Sequence, residues 1–105
     1  MELTSKIYVA GHRGMAGSAV VRRLETLGFN NVVTRSHAEL DLINQAETQK
    51  FFETEQPKYV VLAAAKVGGI HANSMYPADF SLINQQIQTN VISAAWLNGA
   101  KKLMF

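Results

Sequence analysis

Three evenly spaced glycines are the residues of this sequence best suited to a defined chemical task. Gly11, Gly14 and Gly17 lie in the run GHRGMAG, with two residues between each glycine and the next. The backbone of such a run can approach an anion closely, and a helix that begins within it offers unpaired N–H groups to phosphate. The run therefore predicts a site for the phosphates of a dinucleotide, provided that a strand precedes it and a helix follows.

The residues on either side of the glycines satisfy that condition. Residues 6–10 (KIYVA) form a short apolar run that is typical of a buried strand. Residues 15–27 are expected to form a helix, because apolar side chains recur at helical spacing: Ala16, Val20, Leu24 and Leu27. Gly11 would then allow the sharp turn off the strand, Gly14 a close approach of the pyrophosphate, and Gly17 tight packing of the helix on the sheet. The alternative is that all three glycines serve only turns and packing.

The rest of the chain alternates between predicted strands and helices. Strands are expected at residues 32–35, at residues 59–65 and from Leu103 onward, and helices at residues 45–55 and 77–98. Capping and breaking residues mark the helix ends: Gly28, Asn44, Pro57 and Gly99. Between them, residues 39–42 fit either a very short strand or an extended loop. Connections too long for hairpins predict an α/β fold, with a doubly wound parallel sheet and helices on both faces.

Composition is that of a globular protein with one domain. The 105 residues are 48% hydrophobic and 17% charged, with a net charge of +2 at neutral pH. The basic residues form no cluster of the kind that binds nucleic acid, and no apolar run approaches the ~20 residues that a membrane helix requires. The absence of cysteine excludes a disulfide framework and a thiol site from this stretch. We expect a cytoplasmic protein with neither nucleic-acid nor membrane partners, because no secretory signal precedes the first strand.

The end of the second predicted strand bears on the choice of dinucleotide. Enzymes that use NAD usually place an acidic residue there, about 20 residues after the glycine loop, to bind the ribose hydroxyls. This sequence has Arg35 and His37 instead, and together with Arg13 of the loop they could surround a 2′-phosphate. The pattern therefore favours NADP, and Glu39 would reverse that choice if it reached the ribose. The alternative is that Arg35 and His37 are solvated loop residues.

Two further features could contribute to a site at the carboxyl edge of the sheet. Ala63, Ala64 and Ala65 end the predicted central strand, where small side chains could admit a ribose or equally serve a closely packed helix. Asn90 lies on the long helix beside an apolar stripe: Phe80, Ile83, Ile87, Val91 and Ala94. A buried Asn needs hydrogen-bond partners, so Asn90 either organises a site or ties down a neighbouring loop. His71 has no neighbours in the sequence that would complete a metal site or a catalytic triad.

Longer runs of the sequence resemble one enzyme family. These runs are GHRGMAGSAVVRRL, RSHAELDL, LAAAKVGGIHAN, YPADF and TNVISAA, and together they extend over nearly the whole chain. They are similar to the GDP-L-fucose synthases, also called GDP-4-keto-6-deoxymannose epimerase/reductases, within the extended short-chain dehydrogenase/reductases. The resemblance implies a Rossmann-like fold, NADP as the cofactor and a GDP-sugar as the substrate.

The resemblance also implies which residues contact the phosphates and the adenosine of NADP. The loop would bind the pyrophosphate through seven consecutive residues: Gly11, His12, Arg13, Gly14, Met15, Ala16 and Gly17. Arg13 and residues 37–42 would contact the adenosine end, with Asp41 and Leu42 near the adenine. Some family members carry Arg where His37 stands, which bears on the contact with the 2′-phosphate.

At the other end of the cofactor, the resemblance implies that three small residues line the nicotinamide-side ribose: Ala63, Ala64 and Ala65. Asn90 would be a structural residue of the superfamily. Ser74 and Met75 replace the polar pair that is expected before YPADF, which is a small departure within a loop.

By the same resemblance, the catalytic residues lie outside this chain. In the family, a catalytic Ser follows the strand that begins at Leu103, and a Tyr-x-x-x-Lys pair lies further on. Residues 1–105 would therefore be the N-terminal part of an NADP-binding Rossmann domain, truncated after that strand and inactive alone. The complete protein would epimerise a 4-keto-6-deoxy nucleotide sugar and reduce it with NADPH, yielding GDP-L-fucose. It would be a homodimer, with Trp96 at or near the contact.

Two other functions fit parts of the sequence. One is a related nucleotide-sugar 4,6-dehydratase or 4-epimerase that holds NAD permanently. The missing acid after the second strand and the run AAAKVGGI argue against this function. The other is a non-catalytic dinucleotide-binding module. The end of the chain within a predicted strand argues against this function.

Overall fold

Strands and helices alternate along the chain, as the sequence predicts. The computed structural model describes residues 2–12, 14–63 and 78–104, with the side chains of the last segment from Leu82 onward. In these segments the elements are, in chain order, β1 (Ile7–Ala10), α1 (Met15–Thr26), β2 (Val32–Val33), α2 (Gln45–Glu55), β3 (Tyr59–Leu62), α3 (Ala78–Leu97) and β4 (Lys102–Met104).

The sheet is parallel throughout its described strands, which lie in the order β2-β1-β3-β4. Ile7 of β1 pairs with Val32 on one side and with Tyr59 on the other, and Tyr59 pairs in turn with Lys102 of β4. The first crossover therefore leads to one side of β1 and the second to the other side. In sheets of this kind, ligands bind outside the carboxyl ends of the strands at the point where the winding reverses. Here that point lies between β1 and β3.

The core forms on both faces of β1, whose four residues are at most 1% exposed. Tyr8 and Ala10 belong to a buried cluster on the face covered by α2 and α3, with side chains from the strands, the helices and one loop: Leu40, Leu42, Phe52, Val60, Leu62, Val91, Ala94 and Ala95. Successive side chains of a strand point to opposite faces, so Ile7 and Val9 point towards α1. The prediction of helices on both faces is confirmed. No helix in the described segments has the length and apolar character needed to cross a bilayer.

The helices end where the sequence predicts. After α1, the N–H of Gly28 donates to the Glu25 carbonyl at 3.1 Å and that of Phe29 donates to the Leu24 carbonyl at 3.0 Å. Before α2, the Asn44 side chain accepts from the N–H of Glu47 at 3.0 Å. These local bonds satisfy backbone groups that a helix end would otherwise leave unpaired.

Several predicted boundaries are wrong. The second strand ends at Val33 and does not include Arg35, because the chain turns away to bury Leu40 and Leu42 in the core. Residues 39–42 are accordingly a loop rather than a strand. The third strand ends at Leu62, and Ala63 lies beyond it, while Ala64 and Ala65, which were also predicted in this strand, lie outside the described residues.

The apolar stripes of the helices are shorter than predicted. Ala16 and Leu27 are exposed, because α1 spans ~18 Å while the four-residue strand beneath it spans only ~13 Å. On α3, Val91 and Ala94 are fully buried while Ile83 is 37% exposed, so the stripe is buried only in the C-terminal half of the helix. The Phe80 side chain and Pro77 lie outside the described residues.

Candidate dinucleotide-binding site

The glycine loop turns sharply between β1 and α1. Gly11 has a φ of 85°, a left-handed conformation that side chains disfavour. Its carbonyl accepts a hydrogen bond from the N–H of Gly14 at 3.1 Å, which closes the turn. The N-terminus of α1 therefore lies at the carboxyl end of β1. His12 is half-buried within this turn, and Arg13 lies outside the described residues.

Gly17 allows the first turn of α1 to lie directly on the loop. A Cβ at this position would overlap the carbonyl oxygen of Gly11, would lie 2.6 Å from its carbonyl carbon and would lie 3.0 Å from the Cα of His12. We expected this glycine to bring the helix close to the sheet. The contact that excludes a side chain is instead with the backbone of the loop, which follows the sheet.

Packing against the described residues does not require a glycine at position 14. A Cβ there would meet only the carbonyl oxygen of Gly11, at an ordinary contact distance of 3.6 Å. Among the described residues, the N–H groups of Met15, Ala16 and Gly17 have no acceptor, and the first turn of α1 contains no acidic side chain. Since the N-terminus of a helix carries a partial positive charge, these N–H groups are suited to binding an anion.

The guanidinium of Arg35 is bound by a partner that the sequence analysis did not identify. Its Nη2 lies 3.2 Å from Glu55 Oε2, its Nη1 donates to the Thr34 carbonyl at 2.8 Å, and its Cζ lies 5.3 Å from the centre of the Phe51 ring. Glu55 also accepts from Lys6 Nζ at 3.0 Å. Lys6 precedes β1, so this carboxylate draws the guanidinium towards the amino ends of the strands, opposite to the glycine loop.

Ser36 and Glu39 form a reciprocal pair of hydrogen bonds over the next turn. The N–H of Ser36 donates to Glu39 Oε1 at 2.8 Å, and the N–H of Glu39 donates to Ser36 Oγ at 3.2 Å. This is the capping-box arrangement, and the spacing S-x-x-E could have predicted it. Glu39, the acid that would favour NAD if it reached the ribose, thus bonds to the backbone of its own turn. His37 lies exposed on the same turn.

Residues 41–43 are held from both sides. Asp41 Oδ1 accepts from the N–H of Ile43 at 3.1 Å, and the N–H of Asp41 donates to Glu47 Oε1 at 3.3 Å. From α3, Asn90 Nδ2 donates to the carbonyls of Leu42, at 2.8 Å, and Ile43, at 3.0 Å. Asn90 therefore ties this loop to the long helix, whatever further part it has in a site. The Leu42 side chain is 8% exposed and packs in the core, so only its backbone can face a ligand.

Ala63 brings the end of β3 beside the glycine loop. Its N–H donates to the carbonyl of Ala10 at 3.0 Å, which extends the pairing of the two strands beyond β3. Ala63 is half-buried and immediately precedes Ala64 and Ala65, which lie outside the described residues. Gly11 and Ala63 thus meet at the point where the winding of the sheet reverses.

In the described part of the core beneath this edge, Tyr8 is the one buried titratable side chain. Burial raises the pKa of Tyr8 well above its usual value, and the nearby positive charge of Arg35 lowers it by less. The Tyr8 ring packs against Phe51 and Phe52, with ring centres 4.6 Å and 5.7 Å away. Tyr8 is therefore a neutral core residue. In the described part of the chain, no three His, Cys, Asp or Glu residues are grouped so that they could hold a metal ion.

Comparison with known families agrees with this architecture. The profile of the NAD dependent epimerase/dehydratase family matches residues 7–105, which is nearly the whole chain. The chain belongs to the NAD dependent epimerase/dehydratase family. The glycine turn between β1 and α1 is therefore the N-terminal part of an epimerase/dehydratase fold.

Individual members of the epimerase/dehydratase family are similar over the same residues. GDP-L-fucose synthase 1 of Arabidopsis thaliana is 62% identical over 97% of the chain, and GDP-L-fucose synthase of Escherichia coli K12 is 48% identical over 95%. Among solved structures, a GDP-mannoheptose C4 reductase of Campylobacter jejuni with NADP bound has a TM-score of 0.90, with 50% identity over 98% of the chain.

The chain spans about a third of the length of these members. It covers 32% of the Arabidopsis protein, 31% of the Escherichia coli protein and 32% of the Campylobacter jejuni structure. The family match itself covers residues 7–105 of this chain.

Proposed function

We propose that this chain is the N-terminal, cofactor-binding portion of an NADP-dependent nucleotide-sugar epimerase/reductase. The observation that carries the proposal is the N-terminus of α1. Among the described residues, its first N–H groups have no acceptor, its first turn contains no acidic side chain, and a Cβ at Gly14 would meet only the Gly11 carbonyl oxygen, at 3.6 Å. This N-terminus lies at the carboxyl end of β1, where sheets of this topology bind dinucleotides.

The names of the relatives extend the proposal to a reaction. Proteins that are 62% and 48% identical to the chain are GDP-L-fucose synthases. The complete protein would therefore act on GDP-4-keto-6-deoxymannose, epimerise the sugar and reduce its ketone to give GDP-L-fucose. NADPH would supply the hydride when bound, and the residues of this chain would bind and orient it.

The proposal places a different part of the cofactor at each of three segments along the carboxyl edge of the sheet. The pyrophosphate binds over the turn through residues 11–17, next to Gly14. Asp41 and the backbone of Leu42 border the adenine, and the nicotinamide-side ribose lies against Ala63 and the two alanines after it. The arrangement is supported by the short distance between the ends of β1 and β3, where the N–H of Ala63 lies 3.0 Å from the Ala10 carbonyl oxygen.

NADP is proposed over NAD because the five residues after β2 include no acid, and Glu39 is the first one. The carboxylate of Glu39 accepts a hydrogen bond from the N–H of Ser36, within its own turn. Arg13 and His37 are proposed as the principal contacts of the 2′-phosphate. Arg35 is a secondary contact, because its guanidinium would have to leave Glu55 to reach the phosphate.

A cytoplasmic location and a homodimer complete the proposal. The outer face of α3 has exposed apolar side chains, among them Trp96 at 79%, Leu97 at 61% and Ile92 at 39%. We propose that two copies of the complete protein pair through this face, which would remove Trp96 from water. Light scattering at micromolar concentration should give twice the mass of one chain, and a strictly monomeric mass would contradict the dimer.

The complete protein is tested by mixing it with NADPH and the 4-keto-6-deoxy GDP-sugar. Oxidation of NADPH that depends on the sugar, with GDP-L-fucose as the product, supports the proposal. Tightly bound NAD without NADPH oxidation would instead indicate a dehydratase or 4-epimerase of the same family. A protein that binds a dinucleotide and turns over no sugar would be a non-catalytic binding module.

A further inference from the structure

The side-chain amide of Asn90 makes two long-range hydrogen bonds that the proposed function leaves unused. Asn90 is 6% exposed, and its Nδ2 donates to carbonyls 48 and 47 residues earlier in the sequence, those of Leu42 and Ile43. An amide nitrogen carries two hydrogens, so these two bonds occupy its whole donor capacity. Such an arrangement determines the position of both acceptors.

The two carbonyls need this donor because the loop enters the core. Leu40 is 6% exposed and Leu42 is 8% exposed, although neither lies in a strand or a helix. When such side chains are buried, the N–H and C=O groups of the backbone beside them are also removed from water. Outside a helix or a strand, these groups lack the hydrogen-bond partners that regular secondary structure supplies. The hydroxyl of Thr48 reaches the Leu42 carbonyl only at 3.5 Å and bonds to the Asn44 carbonyl at 2.9 Å. Among the described residues, Asn90 is therefore the main donor to the Leu42 and Ile43 carbonyls.

The same loop presents its other side to the carboxyl edge of the sheet. Asp41 stands between the two buried leucines, is half-buried, and is oriented by the Ile43 N–H and by Glu47. The loop follows the turn formed by Ser36 and Glu39 and lies beyond the end of β2, which pairs with the strand that leads into the glycine loop. A shift of the Leu42 carbonyl would therefore move the surface that faces the adenosine end of a dinucleotide.

We infer that Asn90 is a positioning residue for the adenosine half of the cofactor, acting from α3 through the backbone of residues 41–43. This inference rests on the proposed function, since it takes the carboxyl edge to be the cofactor site. Asn90 itself does not touch the cofactor. It fixes the loop in the binding conformation before the cofactor arrives, so that binding does not have to order the loop.

The probe is 2′,5′-ADP, which contains the adenosine half and lacks the nicotinamide. In the complete protein, Asn90→Ala and Asn90→Asp should each raise the Kd for 2′,5′-ADP at least tenfold and accelerate amide hydrogen exchange in residues 40–44. The matched control is Asn98→Ala, because Asn98 lies one residue beyond α3 and its Nδ2 donates only locally, to the Ala94 carbonyl at 2.9 Å. The control should leave the Kd and the exchange rates in residues 40–44 unchanged.

If Asn90 had only a structural role, its substitution would lower the unfolding temperature without a selective loss of affinity for 2′,5′-ADP. The inference is overturned if folded Asn90→Ala binds 2′,5′-ADP with the wild-type Kd. A wild-type protein that binds neither 2′,5′-ADP nor NADPH would instead contradict the proposed function.

A measurement on the unsubstituted protein covers the case in which both Asn90 variants fail to fold. The two side-chain amide protons of Asn90 should exchange slowly, and they should shift in NMR spectra when 2′,5′-ADP is added. If these protons exchange freely or are unaffected by 2′,5′-ADP at saturation, Asn90 does not position the loop.

Discussion

Arg35 and Glu55 form an ion pair with 3.2 Å between Nη2 and Oε2, although they are 20 residues apart in the sequence. The same carboxylate lies 3.0 Å from Lys6 Nζ, so one acid on α2 joins the residue before β1 to the segment after β2. The sheet is thereby linked to the helix that covers it. An arginine whose position after β2 suggests a cofactor contact has, in the folded chain, a structural partner.

The Glu55 network is expected to contribute modestly to stability. Glu55→Gln should lower the free energy of unfolding by about 1–2 kcal/mol, because two partly exposed cations lose their carboxylate. Screening should reduce the difference from the wild type at high salt, as measured by urea unfolding at two salt concentrations. Glu53→Gln is the control, since Glu53 is exposed on the same helix. An equal effect of both substitutions would show that the ion pairs contribute nothing.

The complete protein is expected to prefer NADPH to NADH. Arg13→Ala should weaken NADPH binding about tenfold to a hundredfold, which is the effect of losing ~1.5–3 kcal/mol from a charge-assisted phosphate contact. Arg35→Ala should weaken it less, because Arg35 is already paired with Glu55. Dissociation constants from fluorescence titration measure both effects. Equal affinities of the wild type for the two cofactors would refute the preference.

Two glycines of the loop should respond in opposite ways to the same substitution. Gly17→Ala should lower the free energy of unfolding by about 3 kcal/mol or more, because the methyl group overlaps backbone atoms of Gly11 that cannot rotate away. Gly14→Ala should change it by less than about 1 kcal/mol, since the nearest atom of the described residues would lie 3.6 Å away. It should nevertheless weaken NADPH binding, because the methyl group enters the space proposed for the pyrophosphate. Chemical denaturation and cofactor titration of both variants separate these roles, and a destabilised Gly14→Ala variant would contradict the assignment.

Residues 1–105 alone are expected to catalyse no reaction. Reduction of a ketone needs a proton donor at its oxygen, and in the proposed chemistry a Tyr with a Lys four residues later supplies it. The tyrosines of this chain are Tyr8, Tyr59 and Tyr76, and none has a Lys at that spacing. Burial of Tyr8 and its raised pKa also oppose proton transfer by that residue. Assays of NADPH oxidation with the 4-keto-6-deoxy GDP-sugar should give the rate of the buffer blank. Turnover by the purified chain would show that its catalytic residues lie among these 105.

Local sequence signals predicted the elements of this fold well, because each depends on residues that are neighbours along the chain. The run KIYVA, the glycines after it and the Asn44 cap are examples, and each is found where it was expected. The partner of Arg35 and the acceptors of Asn90 could not be predicted in this way. They depend on how α2 and α3 pack on the sheet, over separations of 20 to 48 residues.

The C-terminal end of β2 also could not be predicted from neighbouring residues alone. Thr34 and Arg35 continue a pattern that is compatible with a strand, but the chain leaves the sheet after Val33. The preference of Leu40 and Leu42 for the core decides where the strand ends, and their burial depends on Phe52 and Val91 of the covering helices. The S-x-x-E spacing at Ser36 was the one local sign of a turn at this point.

The strand order also bears on how the chain reaches this structure. β1 is made before the other described strands, yet it is an inner strand. Its edge towards β3 stays unpaired until Tyr59, about fifty residues after Ile7, has been made. Parallel pairings over such distances form slowly, and an apolar strand with open edges can associate with other chains in the meantime. The four residues of β1, each at most 1% exposed in the folded chain, thus have an unpaired strand edge until β3 has been made. Charged or capped segments on either side, such as Lys6 before β1 and the glycine turn after it, limit how far that exposed strand extends.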